Sequence, residues 1–172
     1  MQLRLAGIVK ESVVDGPGIR MVVFLQGCPH HCAGCHNPNS HDPAGGYESS
    51  TQAVLDEIGD NKLISGLTLS GGEPFLQAAA LVELASEAKR RGLSIVTYSG
   101  YLFEELLLLG KQDENVAELL ALTDILVDGP YQQERRDIGL AFRGSSNQRL
   151  IDVPESLQNG IAVEWSDPAW QY

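Results

Sequence analysis

All three cysteines of this 172-residue chain, Cys28, Cys32 and Cys35, and all four histidines, His30, His31, His36 and His41, lie between positions 28 and 41. An odd number of cysteines crowded into so short a segment makes a poor disulfide framework and a good metal-ligand one. The spacing Cys-x3-Cys-x2-Cys, in Cys28-Pro29-His30-His31-Cys32-Ala33-Gly34-Cys35, leaves three readings open. Structural zinc would need the three thiolates and one of the histidines to close a tetrahedron. A cubane iron–sulfur cluster usually takes four thiolates, so three would leave one iron open to a substrate or cofactor. Three unrelated buried thiols are the third reading, and the crowding argues against it.

The formal net charge is −11, from 12 Lys+Arg against 23 Asp+Glu. That excess of acid argues against a nucleic-acid reader, which needs a basic footprint. It argues equally against attraction to an anionic membrane surface. The longest purely apolar runs, residues 106–109 and 78–82, fall far short of the ~20 residues that span a bilayer. No signal-peptide pattern opens the chain, since Lys10 and Glu11 follow the first apolar residues at once. A cytoplasmic location is expected. The length suits one domain, residues 1–159, with a tail at 160–172 that carries Trp165 and Trp170. That tail is expected to pack loosely or to meet a partner.

Apolar extended runs alternate with helical ones. Residues 21–25, 67–69, 93–97, 125–127 and 149–153 read as strands, the first as one buried on both faces. Between them, Ser49 and Gln52 read as a capping box opening a short helix with Val54, Leu55 and Ile58 on one face. Residues 78–91 form an amphipathic helix stopped by Gly92, and residues 102–109 and 116–122 a further helical stretch broken near 110–114. This pattern implies an α/β fold with a parallel sheet and helices outside, either open or an incomplete barrel. In such folds chemistry collects at the C-terminal ends of the strands. The cysteine loop, Gly71-Gly72-Glu73-Pro74, Tyr98-Ser99-Gly100 and Asp128-Gly129 each follow a strand, so all four are expected at one mouth.

Gly71-Gly72 permits close backbone approach, and alone it would pass for a strand-to-helix turn. A closed zinc site has no use for a second permissive loop at its mouth, whereas a cofactor held on an open iron does. Dinucleotide, phosphate-loop, nucleophile-elbow and zinc-protease signatures are all missing from the sequence.

Cys-x3-Cys-x2-Cys followed by Gly-Gly-Glu-Pro resembles the radical S-adenosylmethionine superfamily, whose fold would be an incomplete parallel β/α barrel. Asp15-Gly16-Pro17-Gly18-Ile19-Arg20, Phe24-Leu25-Gln26-Gly27-Cys28 and Cys35-His36-Asn37-Pro38 are similar to the branch that activates glycyl radical enzymes. Ser99-Gly100-Tyr101, Leu126-Val127-Asp128-Gly129 and Arg143-Gly144-Ser145-Ser146-Asn147-Gln148-Arg149 resemble the activators of anaerobic (class III) ribonucleotide reductases. The resemblance implies that Cys28, Cys32 and Cys35 hold a [4Fe-4S] cluster whose fourth iron chelates S-adenosylmethionine. It implies further that the Gly71-Gly72-Glu73 loop holds the methionine amino end and that Gly34, Cys35 and His36 lie against the cofactor.

Reductive cleavage would then give a 5′-deoxyadenosyl radical that takes hydrogen from a glycine of the large reductase subunit. Hydrogen-atom abstraction needs no general acid or base, so none is expected beyond the cluster and its cofactor. His30, His31 and His36 are read as exposed or hydrogen-bonded loop residues. For Asp128, Asn147 and Arg149, a contact with cofactor or partner and a purely structural role both suit the sequence. Gly34 stands where many superfamily members carry an aromatic residue. No ferredoxin-like cysteines are left over, which implies an external one-electron donor such as a flavodoxin. The alternatives are an activator of another glycyl radical enzyme, a small-molecule radical enzyme, and a zinc-binding module without catalysis.

Overall fold

The computed structural model describes residues 1–167, so Trp170 and the end of the expected tail lie outside the described residues. The chain opens with β1 (Gln2–Ser12), β2 (Arg20–Leu25), β3 (Tyr47–Ser50) and α1 (Thr51–Ile58). It continues with β4 (Gly66–Gly71), α2 (Ala78–Arg90), β5 (Ser94–Tyr98), α3 (Phe103–Leu109) and α4 (Glu114–Leu122). It closes with β6 (Ile125–Asp128), β7 (Arg149–Asp152) and α5 (Val153–Asn159). The fold is α/β, as expected. One seven-stranded sheet has the order β3-β1-β2-β4-β5-β6-β7, and β2, β4, β5 and β6 run parallel at its centre.

Three strands depart from the expected pattern, β3 (Tyr47–Ser50) being one that the sequence reading did not include. β7 is antiparallel to β6, because the connection over residues 129–148 contains no crossover helix and parallel pairing requires a long crossover. β1 was not expected, yet it pairs antiparallel with both β2 and β3. Leu3 and Leu5 face inward from β1 with Arg4 between them, which is the period-2 signature of a half-buried strand. The expected capping box is displaced by one residue. Ser50, not Ser49, accepts the Ala53 amide at 3.1 Å and starts α1, because Ser49 is held in β3 opposite Leu3. The break between α3 and α4, and a positive φ of 82° at Gly92 just past α2, agree with the sequence reading.

Alternation along the strands separates two faces. Met21, Val23, Leu25, Leu67, Leu69, Ile95, Leu126 and Ile151 pack with the buried residues of all five helices into the main core. The opposite face carries Val96, Ile125, Val127 and Leu150, covered by Tyr98, Phe142 and Trp165 rather than by helices. Residues 163–165 run beside β7, where the Trp165 amide donates to Leu150 O at 2.8 Å and the Asp152 amide to Val163 O at 2.9 Å. Among the described residues no helix is long and apolar enough to cross a membrane.

Arg20 is wholly buried on that second face. Its Nε donates to Thr68 Oγ1, and its terminal nitrogens reach Pro17 O, Ser94 Oγ, Leu67 O and Ser94 O, at 2.8 to 3.1 Å. These acceptors match the five donors of a guanidinium. Burial lowers its pKa to about 10, so the group stays charged at neutral pH without touching a carboxylate. A Cβ on Gly66 would stand 2.2 Å from Arg20, and one on Gly16 would stand 2.8 Å away. Both glycines make room for the side chain. Arg20 thereby anchors the loop over residues 15–19, and Thr68 Oγ1 fixes Asp15 by donating to its carbonyl at 2.8 Å.

Candidate functional site

At the C-terminal ends of the parallel strands lies a cavity of about 260 Å³. Phe24, Ser70 and Tyr98 form its floor from the face that the helices leave bare. Cys28, Cys32, Cys35 and His36 come from the loop after β2, Gly71 and Gly72 from the end of β4, Ser99 and Gly100 from the loop after β5. Gly129, Tyr131, Gly144 and Gln148 come from the long connection after β6, and Asp15 from the loop before β2. All four loops singled out in the sequence therefore meet at one mouth.

The three cysteines are free and half-buried. The Cys28 thiol is pushed up chiefly by burial, against which the His30 and His31 backbone amides act by donating to the sulfur. The neighbouring charges of Glu73 and Cys32 push it the same way as burial. The Asn37 amide donates to Cys35 Sγ at 3.4 Å. His31 holds the loop in a left-handed turn at φ 47°. Such N–H···S contacts favour a thiolate, and hydrogen bonds to sulfur are a known lever on iron–sulfur centres. Among the described residues no three His, Cys, Asp or Glu side chains converge on a point where one metal ion could sit. A cubane does not ask for that convergence, because each thiolate meets a different iron. The donor set and the shared cavity fit such a cluster.

Gly71 and Gly72 are held where no side chain fits. Gly71 has φ +81° and its Cβ would lie 2.6 Å from Leu25 N, while that of Gly72 would lie 2.2 Å from Gly27 O. The Gly72 and Glu73 amides donate to Leu25 O and Gly27 O, each at 2.7 Å, which staples this loop to the start of the cysteine loop. Glu73 does not line the cavity; it is completely buried beneath it. Its carboxylate accepts from Phe75 N at 3.1 Å, Ser99 Oγ at 3.0 and 3.1 Å, Gly100 N at 2.9 Å and His30 Nε2 at 2.8 Å. Gly34 also lies off the cavity lining, in a left-handed turn at φ +71° where a Cβ would meet the Gln133 side chain. Cys35 and His36 line the cavity, and the His36 ring packs on Tyr131 with centroids 4.7 Å apart.

Asp128 and Arg149 turn to each other rather than to the cavity, with Arg149 Nε donating to Asp128 Oδ1 at 3.0 Å. The Asn147 amide nitrogen donates to Pro130 O at 2.8 Å, while its buried Oδ1 has no partner among the described residues. Asp15, whose side chain accepts from Ser12 Oγ at 2.5 Å, faces the cavity although its sequence context assigned it no role. His30, Ser99 and Gln148 are further members that sequence reasoning gave no specific part. Gln148 Oε1 accepts from the Gly144 and Ser145 amides, and its Nε2 donates to Gly129 O at 3.0 Å.

A family described as "4Fe-4S single cluster domain" matches residues 14–151. The anaerobic ribonucleoside-triphosphate reductase-activating protein of Vibrio cholerae is 35% identical over 145 residues, which is 80% of this chain and 90% of that one. The protein of the same name from Haemophilus influenzae is 33% identical over 145 residues, with the same coverage. The pyruvate formate-lyase-activating enzyme of Listeria monocytogenes is 34% identical over 170 residues, 94% of this chain and 66% of that enzyme.

Proposed function

From the premise that the chain belongs to the 4Fe-4S single cluster domain family, in the glycyl-radical-activating branch of the radical S-adenosylmethionine superfamily, we propose that it activates an anaerobic ribonucleotide reductase. The observation that carries this reading is the placement of three half-buried thiols and the Gly71-Gly72 backbone around one cavity. Cys28, Cys32 and Cys35 would hold the cluster, and the Gly71-Gly72 backbone would receive the amino end of S-adenosylmethionine. When bound, the reduced cluster and S-adenosylmethionine supply the carbon radical that takes a hydrogen atom from a glycine of the large reductase subunit.

The chain's own residues bind, orient and exclude water. Cys35 and His36 line the cavity from the cysteine loop and would stand against the bound group, and Ser99 and Gly100 line it from the loop after β5. Glu73 is saturated by its own neighbours and moves no proton, in keeping with hydrogen-atom chemistry. The sheet is read as the superfamily's incomplete barrel, because its four parallel strands open onto one mouth beneath the loops. The reading includes a cytoplasmic location and an external one-electron donor such as a flavodoxin, since all three cysteines are assigned to one cluster.

A reductase partner is favoured over another glycyl radical enzyme by extent. The alignment spans 90% of the Vibrio cholerae reductase activator but 66% of the Listeria monocytogenes pyruvate formate-lyase activator. Anaerobic reconstitution with iron and sulfide tests the proposal. A brown chromophore, about four irons per chain and methionine release from S-adenosylmethionine with dithionite are expected. Stoichiometric zinc without a chromophore would refute it.

A further inference from the structure

Glu73 occupies a point where three of the site's loops meet. Its backbone amide donates to Gly27 O at 2.7 Å, and its carboxylate accepts from His30 Nε2 at 2.8 Å, so it grips the cysteine loop on both sides of Cys28. Ser99 Oγ and Gly100 N bring in the loop after β5. A carboxylate offers about four lone-pair sites and no donor. Phe75 N and Ser99 Oγ approach Oε1, while Gly100 N and His30 Nε2 approach Oε2, with the Ser99 hydroxyl also near Oε2. The acceptor sites are therefore filled. Because a carboxylate only accepts, Nε2 of His30 must carry the proton in this bond.

The fit around His30 is as tight as the bonding. A Cβ on Gly100 would stand 2.3 Å from the imidazole, and Tyr101 closes the other side edge-on, with ring centroids 4.5 Å apart. Glu73 is 0% exposed, and the His30 side chain is 16% exposed. Glycine at 100 is thus what allows His30 to reach Glu73, and His30 ties the thiol loop to the Gly71-Gly72 loop.

We propose that Glu73 and His30 are positioning residues whose bond fixes the spacing between the thiol loop and the Gly71-Gly72 loop, and through it the affinity for S-adenosylmethionine. The Glu73 carboxylate does not itself touch that cofactor. This inference rests on the function proposed above.

The test compares His30→Ala, His30→Gln, Gly100→Ala and the double variant His30→Ala/Gly100→Ala. Calorimetry gives the Kd for S-adenosylmethionine on the reconstituted protein, iron content is assayed alongside, and Gly100 amide exchange is followed in the cofactor-free chain. His30→Ala is expected to raise Kd by about tenfold, the equivalent of one charge-assisted hydrogen bond, at wild-type iron content. It should also speed Gly100 exchange, while His30→Gln, which keeps a donor, recovers most of both. Gly100→Ala should weaken binding alone and add about nothing once His30 is gone, because both changes break the same bond.

An unchanged Kd in His30→Ala, or an equal cost of Gly100→Ala with and without His30, would overturn the inference. Should Gly100→Ala fail to fold, the two single His30 variants decide. A wild-type protein that takes up no S-adenosylmethionine would refute the proposed function instead, and Gly100 exchange would still report whether the latch exists.

Discussion

Arg149 brackets Asp128 with two nitrogens, Nε at 3.0 Å from Oδ1 and a terminal nitrogen at 2.5 Å from Oδ2, while also reaching Glu104 at 2.8 Å. Asp128 is fully buried at the end of β6 and additionally accepts the Phe103 amide at 2.8 Å, the first residue of α3. One carboxylate thus joins the end of a central strand to β7 and to the start of a helix. Its pairing places the strand end beside the cavity without putting a charge into it.

Asp128→Ala should therefore lower unfolding free energy by about 3 kcal/mol, since it strands a buried amide and half-unpairs Arg149. Arg149→Lys cannot reproduce the fork and should cost about 1 kcal/mol. Urea midpoints at constant slope measure both. Equal midpoints for wild type and Asp128→Ala would remove this bracket from the account.

Gly72→Ala drives a Cβ to within 2.2 Å of the Gly27 carbonyl, a backbone atom that cannot step aside. The staple between the two loops must open, and the expected outcome is a loss of about 2 kcal/mol together with reduced iron uptake on reconstitution. Gly7→Ala is the control, because its Cβ meets nothing within 4 Å. Its melting temperature and iron content should match wild type.

Arg20→Met keeps an unbranched apolar stem, shorter than that of arginine, and removes every donor. Pro17 O, Thr68 Oγ1, Leu67 O and both Ser94 oxygens then lose a partner in a buried site. A destabilisation of about 3 kcal/mol or more is expected by chemical unfolding, larger than for any exposed arginine of the chain.

These residues also mark what a sequence can reveal. The three thiols, the glycine pair and the existence of the four central strands follow from local spacing and periodicity. The direction of β7 does not, because it depends on a connection over residues 129–148 that holds no α-helix to cross over the sheet, rather than on the composition of the strand. β1 carried its signal in the Leu3, Arg4, Leu5 alternation, masked by the bulges that interrupt its pairing between Leu5 and Gly7 and between Val9 and Ser12. Glu73 sits in a motif that can be read locally, yet its partners His30 and Ser99 are 43 and 26 positions away. A buried polar hub is assembled only by the fold.

Three surface carboxylates add a small, solvent-screened contribution to stability that acid removes. Glu83 is held below its ordinary value of 4.5 by the Met1 amine and then Thr51, Glu87 by Arg91 and then Arg90, and Glu104 by Arg149. A carboxylate held lower in the folded state stabilises fully above its unfolded value and loses that contribution as pH falls through its folded value. Melting temperature should hold level from pH 7 down to about 5 and then decline, and Glu104→Gln should lessen the decline. Thermal melts followed by far-ultraviolet circular dichroism from pH 7 to 3 measure it.

The central claim is that this chain places a radical on an anaerobic ribonucleotide reductase. The most direct measurement is electron paramagnetic resonance of an anaerobic ribonucleotide reductase large subunit, incubated without oxygen with the reconstituted chain, S-adenosylmethionine and a reductant. A glycyl radical doublet that requires all three additions, and that vanishes with Cys32→Ala, is the expected result. Absence of that doublet on the reductase, with one appearing on a different glycyl radical enzyme under the same conditions, would contradict it.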